Sequence, residues 1–133
     1  MLSPRQPKRQ YVYDFHNMKK EATLGKTSTG EGSSFTGERI YCGLVTKKHG
    51  TGSKPHYHPD ETFNYVLQGT LKVNMDGQEF LVPKGHLLHI PPNVVHTAVA
   101  TDDADAVYLV WRDIAAEKAG KPTTVEVQKI GEQ

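Results

Sequence analysis

From Glu38 onward the chain alternates with a period of two, and that period restricts it to strands. Ile40, Cys42 and Leu44 alternate with Arg39, Tyr41 and Gly43. Phe63, Tyr65 and Leu67 alternate with Thr62, Asn64 and Val66, and Leu71, Val73 and Met75 with Thr70, Lys72 and Asn74. Asp76-Gly77 then precedes Gln78 to Val82. Asp-Gly between alternating runs is the strongest short hairpin signal, because both turn residues must take positive φ. Further strands are expected at 87–90, 94–100, 105–112 and 123–129. Only Ile114 to Ala119, stopped by Gly120, reads as a helical turn. Many short strands at regular spacing predict an all-β sandwich or barrel.

The first 37 residues read differently, as an N-terminal arm and loop (1–37) ahead of the β domain (38–130). Pro4, Pro7, Arg5, Lys8, Arg9 and later Lys19 lie in a polar, basic arm. Tyr11, Val12, Tyr13 and Phe15 form an aromatic patch able to dock on the body. Residues 25–37 are rich in Gly, Ser and Thr and are expected as loop. Gly25-Lys26-Thr27 has the ending of a phosphate-binding loop, but Lys20 stands where that motif needs its first glycine.

Composition narrows the function classes. A chain of 133 residues fits one domain with a real core. A net charge of +1 lacks the basic footprint of a nucleic-acid binder. No apolar run reaches membrane-spanning length, so no membrane partner is expected. The stretch MLSPRQPKRQ has no apolar segment after it and does not read as a secretory signal. Cys42 is the single cysteine, which favours a reducing compartment and a cytoplasmic location. It alternates with Ile40 and Leu44, so a small buried hydrophobe is expected there.

Seven histidines carry the chemistry of interest. His56 and His58 are two apart, which puts both on one face of a strand, within reach of a single ion. His96 follows the Pro91-Pro92-Asn93 turn far along the chain, where a distant strand can bring a third ligand. His86 and His89 flank a turn and read as surface residues or residues behind the ligands.

The flanks of these histidines resemble the two motifs of the cupin superfamily. The first is carried by Gly50, His56-Tyr57-His58 and Tyr65 to Gly69. The second is carried by Gly77, Pro83-Lys84-Gly85, His89-Ile90-Pro91-Pro92-Asn93 and His96. The resemblance covers about residues 38–112. It implies an all-β, jelly-roll-like double-stranded β-helix barrel, with a metal ion held by His56, His58 and His96. The chain departs from the family pattern at two positions. Thr62 stands where cupins usually carry a ligand glutamate, and Ala100 where they usually carry asparagine. Glu61 is adjacent, but alternation places it with Phe63 and Tyr65 on the opposite face, so it would need a bulge to bind.

A sphere of three neutral imidazoles leaves a divalent ion its full charge, which favours an anionic, oxygen-chelating substrate. Imidazole suits several metals. The resemblance to three-histidine cupin dioxygenases favours Fe(II), with Zn, Ni, Cu or Mn as alternatives. It implies a non-haem Fe(II) dioxygenase that takes O₂ and a small dicarbonyl or organic acid. A metal-dependent lyase or isomerase, or a non-catalytic ligand-binding cupin, is the alternative. Thr62 and Asn64, sharing the inward face, are the candidate catalytic residues. Tyr41, Tyr108 and Trp111 read as core aromatics. The opposite face of that strand, Phe63, Tyr65 and Leu67, leads to the expectation of a homodimer with residues 11–15 near its interface.

Overall fold

The structure, a computed structural model, describes residues 10–22, 28–121 and 124–127. The elements run β1 (Glu21–Ala22), β2 (Glu31–Thr36), β3 (Ile40–Lys47), β4 (His56–Tyr57), β5 (Thr62–Gln68) and β6 (Thr70–Met75). They continue with β7 (Gln78–Pro83), β8 (Leu87–Ile90), β9 (His96–Ala100), β10 (Ala106–Asp113), α1 (Ala115–Lys118) and β11 (Val125–Glu126). The strands form two antiparallel sheets, ordered β1-β2-β3-β10-β5-β8 and β11-β4-β9-β6-β7. The expected all-β, jelly-roll-like architecture is therefore present.

The expected barrel does not close. Among the described residues no ladder joins one sheet to the other. Three of the four edge strands, β1, β8 and β11, have at most four residues. Strands that short offer few ladder positions to an opposite sheet. The domain is a sandwich whose sheets face each other across an apolar layer. Val45, Val66, Leu71, Val73 and Val110 are fully buried in that layer.

The hairpin β6–β7 turns on Asp76 and Gly77, with φ of 53° and 81°, and Met75 pairs with Gln78. Both turn residues having positive φ is what a two-residue hairpin loop requires. The helical turn is α1, and Gly120, at φ 73°, follows its end.

Two local expectations are overturned. Residues 31–36, within the Gly-, Ser- and Thr-rich stretch expected as loop, form β2 and pair in register with β3. A Cβ on Gly32 would lie 1.9 Å from the Leu44 carbonyl oxygen, so glycine there permits close strand approach rather than a turn. The buried face of β3 is Tyr41, Gly43, Val45 and Lys47, which leaves Cys42 half-buried on the other face. That outer face is apolar as well, so alternation alone does not choose between them. Arg5, Lys8, Arg9 and Gly25-Lys26-Thr27 lie outside the described residues. The strand expected at 123–129 appears, within the described part, as β11.

The aromatic arm folds back on its own chain. The Tyr13 ring lies 4.1 Å from that of Phe35 on β2, and Ser33 Oγ donates to the Phe15 carbonyl at 2.7 Å. Among the described residues no helix is long and apolar enough to cross a membrane.

Candidate metal centre

One ladder position brings two of the histidines together. His56 on β4 and His96 on β9 are direct partners across the antiparallel pair. His58 follows β4 by one residue and keeps the extended spacing, so its ring joins the same face. One ligand nitrogen from each of the three lies within 4.8 Å of the others. His56 and His96 are buried and His58 is half-buried. The trio expected from the sequence is thus assembled.

The backbone sets the tautomer of each ring. Nδ1 of His56 lies 2.6 Å from the Lys54 carbonyl oxygen, that of His58 3.0 Å from the Asp60 carbonyl, and that of His96 2.9 Å from the Val94 carbonyl. A carbonyl only accepts, so each Nδ1 carries the proton and each Nε2 keeps its lone pair. Burial pushes the His56 and His96 imidazoles below the usual histidine range, His96 to about 3. Both rings are therefore neutral near pH 7. Neutral rings with fixed Nδ1–H bonds are the state a metal ligand needs. The donor set fits a divalent ion.

Asp60 was not singled out by the sequence. It lies between His58 and β5, where no period applies. Its side chain is buried, with Oδ1 3.4 Å from His58 Nδ1. Thr62 Oγ1 donates to Asp60 Oδ2 at 3.2 Å, and Arg112 Nε lies 3.9 Å from the same oxygen. Thr62 points inward as expected, but its hydroxyl holds Asp60. Arg112, a pocket arginine with no motif position, also stacks on the Tyr41 ring at 4.2 Å. Glu61 lies outside, on the face that alternation gave it, and pairs with His89 Nε2 at 2.7 Å. His89 in turn stacks on Phe63, and His86 is exposed.

The cavity in front of the trio has about 580 Å³ of empty space, counting its open mouth. The first sheet supplies the wall opposite the histidines: Lys47, Thr62, Asn64, Tyr108, Val110 and Arg112. Asn64 is buried there, as its phase with Thr62 predicts. Lys47 is 2% exposed, and its Nζ donates to the Ala98 carbonyl of the second sheet at 2.8 Å. Burial pushes its pKa down from 10.5 to about 7. The signal for Lys47 was its phase with Tyr41, Gly43 and Val45, masked by its charge.

A jelly-roll-like sandwich with a histidine trio on one inner face defines a class, and residues 43–112 match the model of that class, the cupin domain. The chain belongs to the cupin family. It is 29% identical over 102 residues to the polyketide synthase CurC of Streptomyces cyaneus, a match covering 76% of this chain and 59% of that protein. This chain thus spans about three fifths of that relative's length. Its fold is similar to that of the polyketide cyclase RemF from Streptomyces resistomycificus, with a TM-score of 0.76 and 17% identity over 91% of this chain and 87% of that one. It is also similar to a salicylate 1,2-dioxygenase from Pseudaminobacter salicylatoxidans, with a TM-score of 0.64 and 14% identity over 71% of this chain and 31% of that one.

Proposed function

We propose that this cupin binds a divalent metal through His56, His58 and His96 and acts on a β-dicarbonyl substrate of the polyketide type, promoting enolisation and ring closure. The observation that carries the reading is the placement of Lys47 in the wall facing the trio. An ion held by three imidazoles would supply Lewis acidity to a chelated carbonyl oxygen. The carbon between two carbonyls then needs a base, and Thr62 replaces the carboxylate that most cupins have there. Lys47 fills that role in this chain. One amine hydrogen is committed to the Ala98 carbonyl, and a neutral amine keeps its lone pair for a proton. A pKa near 7 matches what a general base needs at neutral pH. A neighbouring dication would lower it further, since like charge disfavours the ammonium.

The substrate class is supported by the two polyketide-related proteins. The Fe(II) dioxygenase reading stands second, favoured by the carboxylate-free histidine trio and the salicylate dioxygenase likeness. One experiment separates them. Metal-loaded protein is incubated with ethyl 2-methylacetoacetate in D₂O, with oxygen uptake followed in parallel. Loss of the α-proton signal above the buffer rate without oxygen uptake is expected, and Lys47→Met abolishes it. Oxygen uptake that tracks substrate loss establishes the dioxygenase instead. Neither signal overturns both.

A further inference from the structure

Two buried polar atoms in the cavity wall have no partner. Asn64 Oδ1 and Tyr108 Oη make no hydrogen bond, although Asn64 is 5% exposed and Tyr108 0%. Native interiors leave few such atoms, and each one asks for an explanation. Asn74 Oδ1, which is also unpaired, does not line this cavity.

The register explains why these two belong together. Val110 on β10 pairs with Asn64 on β5, and Tyr108 pairs with Val66. Asn64 and Tyr108 therefore rise on the same face of adjacent strands as diagonal neighbours, a spacing of about 7–8 Å that an aromatic side chain can reach across. They do not bond to each other. The carboxamide oxygen only accepts, whereas the phenol both donates and accepts. Burial pushes the phenol pKa up, so it remains a neutral donor.

We infer that Asn64 and Tyr108 together bind a hydroxyl group of the substrate, of the enol or phenol class. Asn64 Oδ1 accepts its hydrogen, and Tyr108 Oη donates to its oxygen. The inference rests on the proposed use of this cavity for oxygen-chelating substrates. The pair stands on one sheet and the histidines on the other. A substrate held at both ends spans the gap, with its chelating oxygens at the trio and a further hydroxyl at the opposite wall. Asn64 and Tyr108 then decide which chelating compounds are accepted.

The test compares 2′-hydroxyacetophenone, which only chelates, with its 4′- and 5′-hydroxylated derivatives. Binding to the zinc-loaded protein is measured by calorimetry. At least one derivative is expected to bind roughly tenfold more tightly, the factor that about one good hydrogen bond supplies. Tyr108→Phe and Asn64→Leu are each expected to remove that preference. The melting temperature of ligand-free Tyr108→Phe is expected to equal or exceed that of the wild type, because an unpaired hydroxyl is lost. If the parent and derivatives bind equally to the wild type, the hydroxyl site is overturned and the chelating cavity stands. A preference that survives in both variants, or a Tyr108→Phe protein several degrees less stable, also overturns it. If no compound binds, the reading of the cavity fails, and the hydroxyl site with it.

Discussion

His56 and His96 face each other across a single ladder position, with ring centroids 4.3 Å apart. Their separation is therefore set by strand pairing rather than by loop conformation. A slip of one residue would turn one ring to the opposite face and dismantle the centre. Gly52 guards this register from the side. A Cβ there would lie 2.2 Å from the Ala98 carbonyl oxygen, on the strand that carries His96.

Removal of any one histidine is expected to cut metal content sharply, since each supplies one of three protein bonds. Elemental analysis of His56→Ala, His58→Ala and His96→Ala after metal loading checks this. Full occupancy in His96→Ala would show that the ion sits elsewhere.

Residues 60, 61 and 62 are expected to respond in three different ways. Asp60→Ala frees His58 Nδ1 from its carboxylate and leaves Arg112 without it, so metal affinity should fall by roughly 10- to 100-fold. Glu61→Ala breaks only an exposed pair with His89 and should leave affinity nearly unchanged. Thr62→Glu places a carboxylate on the inward face and should tighten binding. Competition with a chromogenic chelator measures all three.

Lys47 should make stability rise with pH. Its pKa is lowered in the folded chain from 10.5 to about 7. Between those values the unfolded chain binds a proton that the folded chain has released. Unfolding free energy should therefore increase across that window, by up to about 1.4 kcal/mol per pH unit. Lys47→Met removes this contribution. Urea unfolding of both proteins without metal, at about pH 7 and about pH 9, gives the comparison. A constant difference between the two proteins would show that the lysine titrates normally.

A homodimer through the outer face of the larger sheet remains our expectation. Tyr65 and Leu87 are register partners on β5 and β8, and are 37% and 55% exposed. Tyr13 already stacks on Phe35 from within the same chain, while this pair and Ile40 stay exposed on the sheet. Light scattering should give a dimer mass, and Tyr65→Glu with Leu87→Glu should give a monomer. A monomer mass for the wild type at micromolar concentration would leave the arm a purely intramolecular role.

What the sequence revealed followed from where its period was unambiguous. β5 alternates strictly, so once the family resemblance sets Thr62 at the position of the ligand glutamate, Asn64 shares its inward face and Glu61 lies outward. The Asp76-Gly77 turn announced its hairpin because few residue pairs tolerate two positive φ values. β3 is apolar on both faces, so its period does not distinguish the inward set, and the charge of Lys47 hides its inward phase. Asp60 sits between a strand end and a strand start, where its neighbours say nothing about direction. β2 was hidden because glycine and serine serve close strand approach as readily as they serve loops. Tyr108 was placed correctly inside, but only the missing partner of its hydroxyl marks it as more than packing.

The histidines belong to β4, β9 and the residue after β4, whereas Lys47, Asn64, Tyr108 and Arg112 belong to the sheet across the gap. The site is thus divided between two sheets. Substitutions in the second wall can alter what the cavity accepts while the ladder that spaces the imidazoles stays as it was. Under the proposed function, selectivity can therefore be retuned through one sheet while the other keeps the imidazole spacing.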